Sequence, residues 1–188
     1  MPDVIPAWLG LQAYGMKDLE TADKYMTWAT HNDQLQNVKK VIWRNLAKVR
    51  LALKKYDRAL VASNNFLKDE DQPYRRADGM LDKASILLGL GKYSDARKTA
   101  EEALALGVEG PLMASLKIVL GDISYAEKKF DEAAKHYGVT AELFVNDAEL
   151  KPKALFKAAE ALDKAGRKSE ASQYRARLQK EFPDWKQD

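Results

Sequence analysis

One six-residue pattern recurs five times along the chain and constrains its fold more than any other feature. Gly91-Lys92-Tyr93-Ser94-Asp95-Ala96 is echoed by Lys54-Lys55-Tyr56-Asp57-Arg58-Ala59 and by Lys128-Lys129-Phe130-Asp131-Glu132-Ala133. Weaker copies are Lys17-Asp18-Leu19-Glu20-Thr21-Ala22 and Gly166-Arg167-Lys168-Ser169-Glu170-Ala171. The closing alanines fall at 22, 59, 96, 133 and 171, so the steps are 37, 37, 37 and 38 residues. Self-similarity at a fixed period of this size marks a tandem array of one supersecondary unit.

The residue types say what the unit is. Glycine supplies the left-handed backbone of a helix end without steric cost, and lysine suits the negative end of the helix dipole. A small alanine lets a second helix cross close to the first. Apolar residues keep helical spacing on both sides of each pattern, as Met80, Ala84, Leu87 and Leu88 do before Gly91 and Ala96, Ala100 and Ala103 after it. Each unit therefore reads as helix, turn, helix. Five such hairpins, over residues 3–30, 38–67, 77–106, 112–145 and 151–182, fill the 188 residues as a single array, 1–188. The expected fold class is all-α, an alpha-alpha solenoid in which each hairpin buries its apolar stripe against its neighbours.

These hairpins resemble tetratricopeptide repeats, a family with an aromatic, a Leu-Gly or Leu-Ala step and a later Ala-x3-aromatic in units of about 34 residues. Trp43-x2-Leu46-Ala47, Leu9-Gly10, Leu120-Gly121 and Ala133-x3-Tyr137 carry the resemblance, with Pro183 where the family often closes. Arg50 and Ser124 replace its usual aromatic in the first helix; Ser63, Ala100 and Arg175 do so in the second, and Lys168 in the turn. The longer period suggests longer loops between hairpins.

The resemblance implies a right-handed superhelix whose first helices line a concave groove, and a non-enzymatic scaffold that binds a protein or peptide segment there. By that alignment the groove residues are Arg44, Lys48 and Leu51, then Leu81, Ser85 and Leu88, then Ile118, Asp122 and Tyr125. The second hairpin is basic: between positions 39 and 58 its lysines and arginines are answered only by Asp57. Arginine offers a carboxylate two hydrogen bonds at once, so Arg44 and Lys48 are expected to receive an acidic group. Leu51, Leu88 and Tyr125 are expected to hold an apolar anchor. A solvated charged face is the simpler reading of the same basic run.

The ends differ. No charged residue stands between Asp3 and Lys17, so Trp8, Leu11 and Tyr14 form an apolar run where a terminal repeat is normally polar. It suggests a partner, preceding repeats, or self-association into a homo-oligomer as an alternative function. The last hairpin puts Ala171, Tyr174 and Leu178 on one stripe among polar residues and suits a solvent-facing end, with Trp185 folded back on it. A looser likeness of residues 154–185 to repeats in periplasmic assembly factors suggests a third reading, the interaction part of a larger bacterial envelope protein.

Residues for chemistry are sparse. There is no cysteine, hence no disulfide, thiolate catalysis or usual structural zinc site. His31 and His136 lack paired ligand spacing, so no metal and no cofactor is expected. Gly89-Leu90-Gly91-Lys92 looks like a phosphate loop, but Ile86 stands where its first glycine belongs and Tyr93 follows the lysine. A net charge of +3, from 31 basic and 28 acidic residues, argues against nucleic acid as a partner. No apolar run approaches the roughly 18 residues of a membrane span, and the first residues lack the pattern of a signal peptide. The expected address is cytoplasmic if Met1 is the natural start, and periplasmic remains open for an excised fragment.

Overall fold

A computed structural model describes residues 5–31, 36–143 and 147–186. Among them lie ten helices: α1 Ile5–Gly15, α2 Leu19–Thr30, α3 Gln36–Ala52, α4 Tyr56–Leu67, α5 Pro73–Gly89, α6 Tyr93–Ala105, α7 Gly110–Ala126, α8 Phe130–Leu143, α9 Leu150–Lys164 and α10 Lys168–Glu181. The expected hairpin ends at 3–4 and 144–145 lie outside the described residues. The helices gather into two compact units, residues 1–99 and 100–188, with the boundary inside α6.

The period is made of helix rather than loop. In the second and third hairpins the first helix has 17 residues and the second 12 or 13. The links between hairpins, 68–72 and 106–109, are short. The longer loops expected from the period are therefore not found there. Pro73 and Pro111 sit in the first turns of α5 and α7, where the missing N–H has no intrahelical partner to lose.

All five turns share one backbone solution. Lys17, Lys54, Gly91, Lys128 and Gly166 have φ of 61°, 56°, 71°, 61° and 80°. At each, two N–H groups reach back to the preceding helix: Gly91 N donates to Leu88 O and Lys92 N to Leu87 O, both at 2.9 Å. The same pair of bonds forms from Lys17 and Asp18, from Lys54 and Lys55, from Lys128 and Lys129, and from Gly166 and Arg167. Carbonyls that the helix end would leave bare are thereby satisfied. Three lysines accept a left-handed backbone that disfavours side chains.

The closing alanines Ala22, Ala59, Ala96, Ala133 and Ala171 are all fully buried. Small residues also stand earlier in the first helices, at Gly10, Ala47, Ala84, Gly121 and Ala158, again one repeat apart. A Cβ on Gly10 would come within 2.7 Å of Met26, and one on Gly121 within 2.4 Å of the Tyr137 ring. In unit 1 these crossings support a core of Ala22, Met26, Ile42, Leu46 and Val49, with Tyr14 and Trp43 at its margin. In unit 2 Ile118, Ala133, Tyr137, Ala158 and Leu162 pack together, flanked by Tyr125 and Tyr174. Trp185 lies back on the last hairpin, its ring 5.6 Å from that of Phe156.

Candidate interaction surface

In unit 1 the first helices α1, α3 and α5 neighbour one another in succession, with α2 packed onto α3 and α4 onto α5. Spacings of four and three residues put Arg44, Lys48 and Leu51 on one face of α3, and Leu81, Ser85 and Leu88 on one face of α5. All six are partly exposed.

The basic hairpin is not a bare cationic surface. Arg44 pairs with Asp78, and Lys48 Nζ stands 3.7 Å from Asp82 Oδ2, both carboxylates coming from α5. Lys40 and Arg75 converge on buried Glu70 at 4.0 and 3.5 Å. Between positions 39 and 58 the sequence offers only Asp57 as a counterion, and the structure supplies others from beyond that stretch: Glu70, Asp78 and Asp82. Arg44 and Asp78 have the same separation in sequence as Lys48 and Asp82, and that recurrence was the available signal. Asp82 is the least well served. At 3.7 Å Lys48 is beyond hydrogen-bond reach, and burial pushes the carboxyl up to about 6 from an ordinary 3.8, against the pull of Lys48 and Arg44.

Between the first two hairpins the balance is reversed. Arg50 Nε donates to Asp23 Oδ1 at 2.8 Å, its Nη2 to Thr27 Oγ1 at 2.7 Å, and its Nη1 to Arg58 O at 3.3 Å. Lys55 Nζ reaches Asp23 Oδ2 at 3.0 Å and Glu20 Oε2 at 2.7 Å. Burial pushes the Asp23 carboxyl up, yet the hydrogen bonds and charges of Arg50 and Lys55 outweigh it and hold the group below its usual range. Arg50, which stands where the family has an aromatic, fills that buried place with a polar network.

In unit 2 the three aligned residues have different surroundings. Ile118 is buried in the core. Asp122 Oδ1 accepts from Tyr137 Oη at 2.6 Å and from Lys157 Nζ at 2.8 Å. Tyr125 is partly exposed and meets Phe130 edge-on at 5.2 Å. Beside them, Phe156, Trp185, Lys153, Lys157, Glu149 and Glu160 border an open cavity of about 330 Å³.

The N-terminal trio divides. Trp8 and Leu11 are 58% and 37% exposed, whereas Tyr14 packs on the core. His31 closes α2, its ring nitrogen 2.8 Å from Thr27 O, and His136 faces Glu132 at 3.7 Å. Among the described residues no group of three or more His, Asp or Glu side chains is placed to hold a metal ion, and no helix is long and apolar enough to cross a membrane.

Hairpins of this kind, locked by buried alanines and repeating turns, define the class: an all-α array of the alpha-solenoid type. Residues 81–142 match the family model described as "Tetratricopeptide repeat". The apo form of RapI superimposes with a TM-score of 0.82 at 18% identity, over 98% of this chain and 72% of that one. MamA does so with 0.70 at 16%, over 95% and 90%. A Rap protein complexed with Competence and Sporulation Factor gives 0.76 at 18%, over 94% and 52%. No curated protein matches the chain in sequence. The resemblance to tetratricopeptide repeats therefore holds, and the likeness to these structures shows the fold.

Proposed function

We propose that the chain is a non-enzymatic scaffold that holds a protein or peptide segment against the first helices α3 and α5. The observation that carries this reading is the repeated row of partly exposed side chains on α3 and α5, Arg44, Lys48 and Leu51 followed by Leu81, Ser85 and Leu88. Both helices are fixed from behind by second helices, so little order is lost when a partner lies on them. Leu51, Leu81 and Leu88 supply apolar contact. Arg44 and Lys48 meet the partner as the open edges of ion pairs, since about a third of each side chain is exposed. An acidic group must therefore compete with Asp78 and Asp82, so apolar contact outweighs charge in recognition. The complex of the Rap protein with its factor supports a fold that suits such work.

Photocrosslinking tests this. Benzoylphenylalanine at Ser85 is expected to capture a discrete partner from lysate, and the same residue at exposed Asn64 on α4 is not. Equal capture from both positions, or none from Ser85, would contradict the reading.

A further inference from the structure

We propose that Lys48 is the exchangeable cation of the surface shared by α3 and α5: a carboxylate on the bound segment takes its ammonium group from Asp82, whereas Arg44 stays with Asp78. The inference rests on the scaffold reading and adds the chemistry of the segment and the residue that selects it.

The two ion pairs stand on successive turns of α3 and α5, and they are not equivalent. Arg44 Nη2 meets Asp78 Oδ2 directly, whereas Lys48 Nζ stops 3.7 Å from Asp82 Oδ2, beyond hydrogen-bond reach. Asp82 Oδ2 is buried and receives no hydrogen bond. In both pairs the cation is the outer member: the Lys48 side chain is 31% exposed against 14% for Asp82, and Arg44 34% against 17% for Asp78. A segment lying on this surface therefore meets positive charge first, which selects an acidic group over a basic one. An ammonium on a flexible stem, held by attraction alone, moves away more readily than a planar guanidinium already in contact. Leu51, one turn on from Lys48, and Leu81, next to Asp82, are both partly exposed. The segment that fits has an acidic residue between apolar ones.

Drawing Lys48 away would leave a buried carboxylate without its nearest counterion, which is costly. A proton taken from solvent by Asp82 removes that charge. Burial already raises the group to about 6 against the pull of Lys48 and Arg44, so losing Lys48 raises it further. The other groups around it offer no substitute cation: α4 meets α5 through Tyr56, Phe66 and Leu67, and Asp78, one turn back, is held by Arg44. Carboxylate binding is thereby coupled to protonation of Asp82, and it strengthens as pH falls through about 6.

NMR titration of the whole chain tests this with three peptides: acetyl-Leu-Ser-Glu-Ser-Leu-amide, its glutamine counterpart, and the glutamine peptide with a free C-terminal carboxylate. The glutamate peptide is expected to bind about fivefold or more tightly than the amidated glutamine peptide near pH 5.5, with the preference falling below about twofold near pH 7.5. Lys48→Gln should abolish the preference at both pH values, and Asp82→Asn should keep it at both. In wild type the glutamate peptide should move the Asp82 carboxyl titration upward by about one pH unit, and the amidated glutamine peptide should leave it in place. Exchange by the free C-terminus supports the proposal equally and tells a chain end from a side chain. A preference that ignores pH or survives Lys48→Gln, or a fixed Asp82 titration, overturns the proposal. Equal binding of all three peptides overturns it and leaves the scaffold reading standing, whereas binding of none overturns both.

Discussion

Lys48 Nζ and Asp82 Oδ2 face each other at 3.7 Å across the second and third hairpins, close enough to attract and too far to hydrogen-bond. Since burial raises the Asp82 carboxyl to about 6, the folded chain holds that proton more tightly than the unfolded one. The stability it contributes is full below the ordinary value of 3.8 and is lost as pH rises through about 6. Asp82→Asn removes this titration. Denaturant titrations across that window should show wild type losing up to about 3 kcal/mol relative to the variant, whereas parallel curves would show that Asp82 does not titrate in this way.

Arg50 should be among the costliest polar positions to truncate. Arg50→Ala leaves Asp23 with Lys55 as its remaining cation and removes the Nη2 donor from Thr27 Oγ1, a loss on the order of 1.5–3 kcal/mol. Arg50→Lys cannot reproduce the three-way donation and is expected to recover only part of it. Asp23 has a lowered carboxyl, so the stability of this pair is present above the ordinary value of 3.8 and lost as pH falls through the folded one. Urea midpoints of the two variants check the ranking.

The left-handed turns make opposite predictions for lysine and glycine. Lys54→Gly relieves a side chain from a φ of 56° and should raise stability by about 0.5–1 kcal/mol after the entropy of the unfolded glycine is allowed for. Gly91→Ala, at φ 71°, should lower it by a similar amount. Thermal melts of the two variants should move in opposite directions.

Close helix crossings should resist added volume. Ala96 is fully buried, and Ala96→Leu is expected to cost on the order of 1–3 kcal/mol. Gly121→Ala should cost a similar amount because its methyl would press on Tyr137, whose hydroxyl is tied to Asp122. A melting temperature equal to wild type for either would remove the crossing role assigned to these residues.

The helical array was legible because each unit repeats a local rule: a turn that ends one helix, then an alanine that admits the next. The left-handed lysines were legible only by alignment, since Lys54 stands where Gly91 does and nothing local to it demands a positive φ. The equal spacing of Arg44–Asp78 and Lys48–Asp82 was the one trace of the ion pairs in the sequence, but it does not show the pairing itself, because Asp78, Asp82 and Asp23 come from other hairpins and meet their partners only when the hairpins stack. For that reason Arg44 and Lys48 read as open cations in sequence and appear as paired ones in the structure. Ile118 aligned with surface positions for a related reason: its burial is decided by packing in unit 2, which alignment does not record.

The central claim is that partners lie on the first helices, and the most direct measurement is calorimetric affinity for a crosslink-identified partner. Ser85→Arg on α5 should weaken binding at least about tenfold, a loss of roughly 1.4 kcal/mol, while Asn64→Arg on α4 leaves it unchanged and both retain wild-type circular dichroism. Equal affinity for the two variants, or loss confined to Asn64→Arg, would contradict the account.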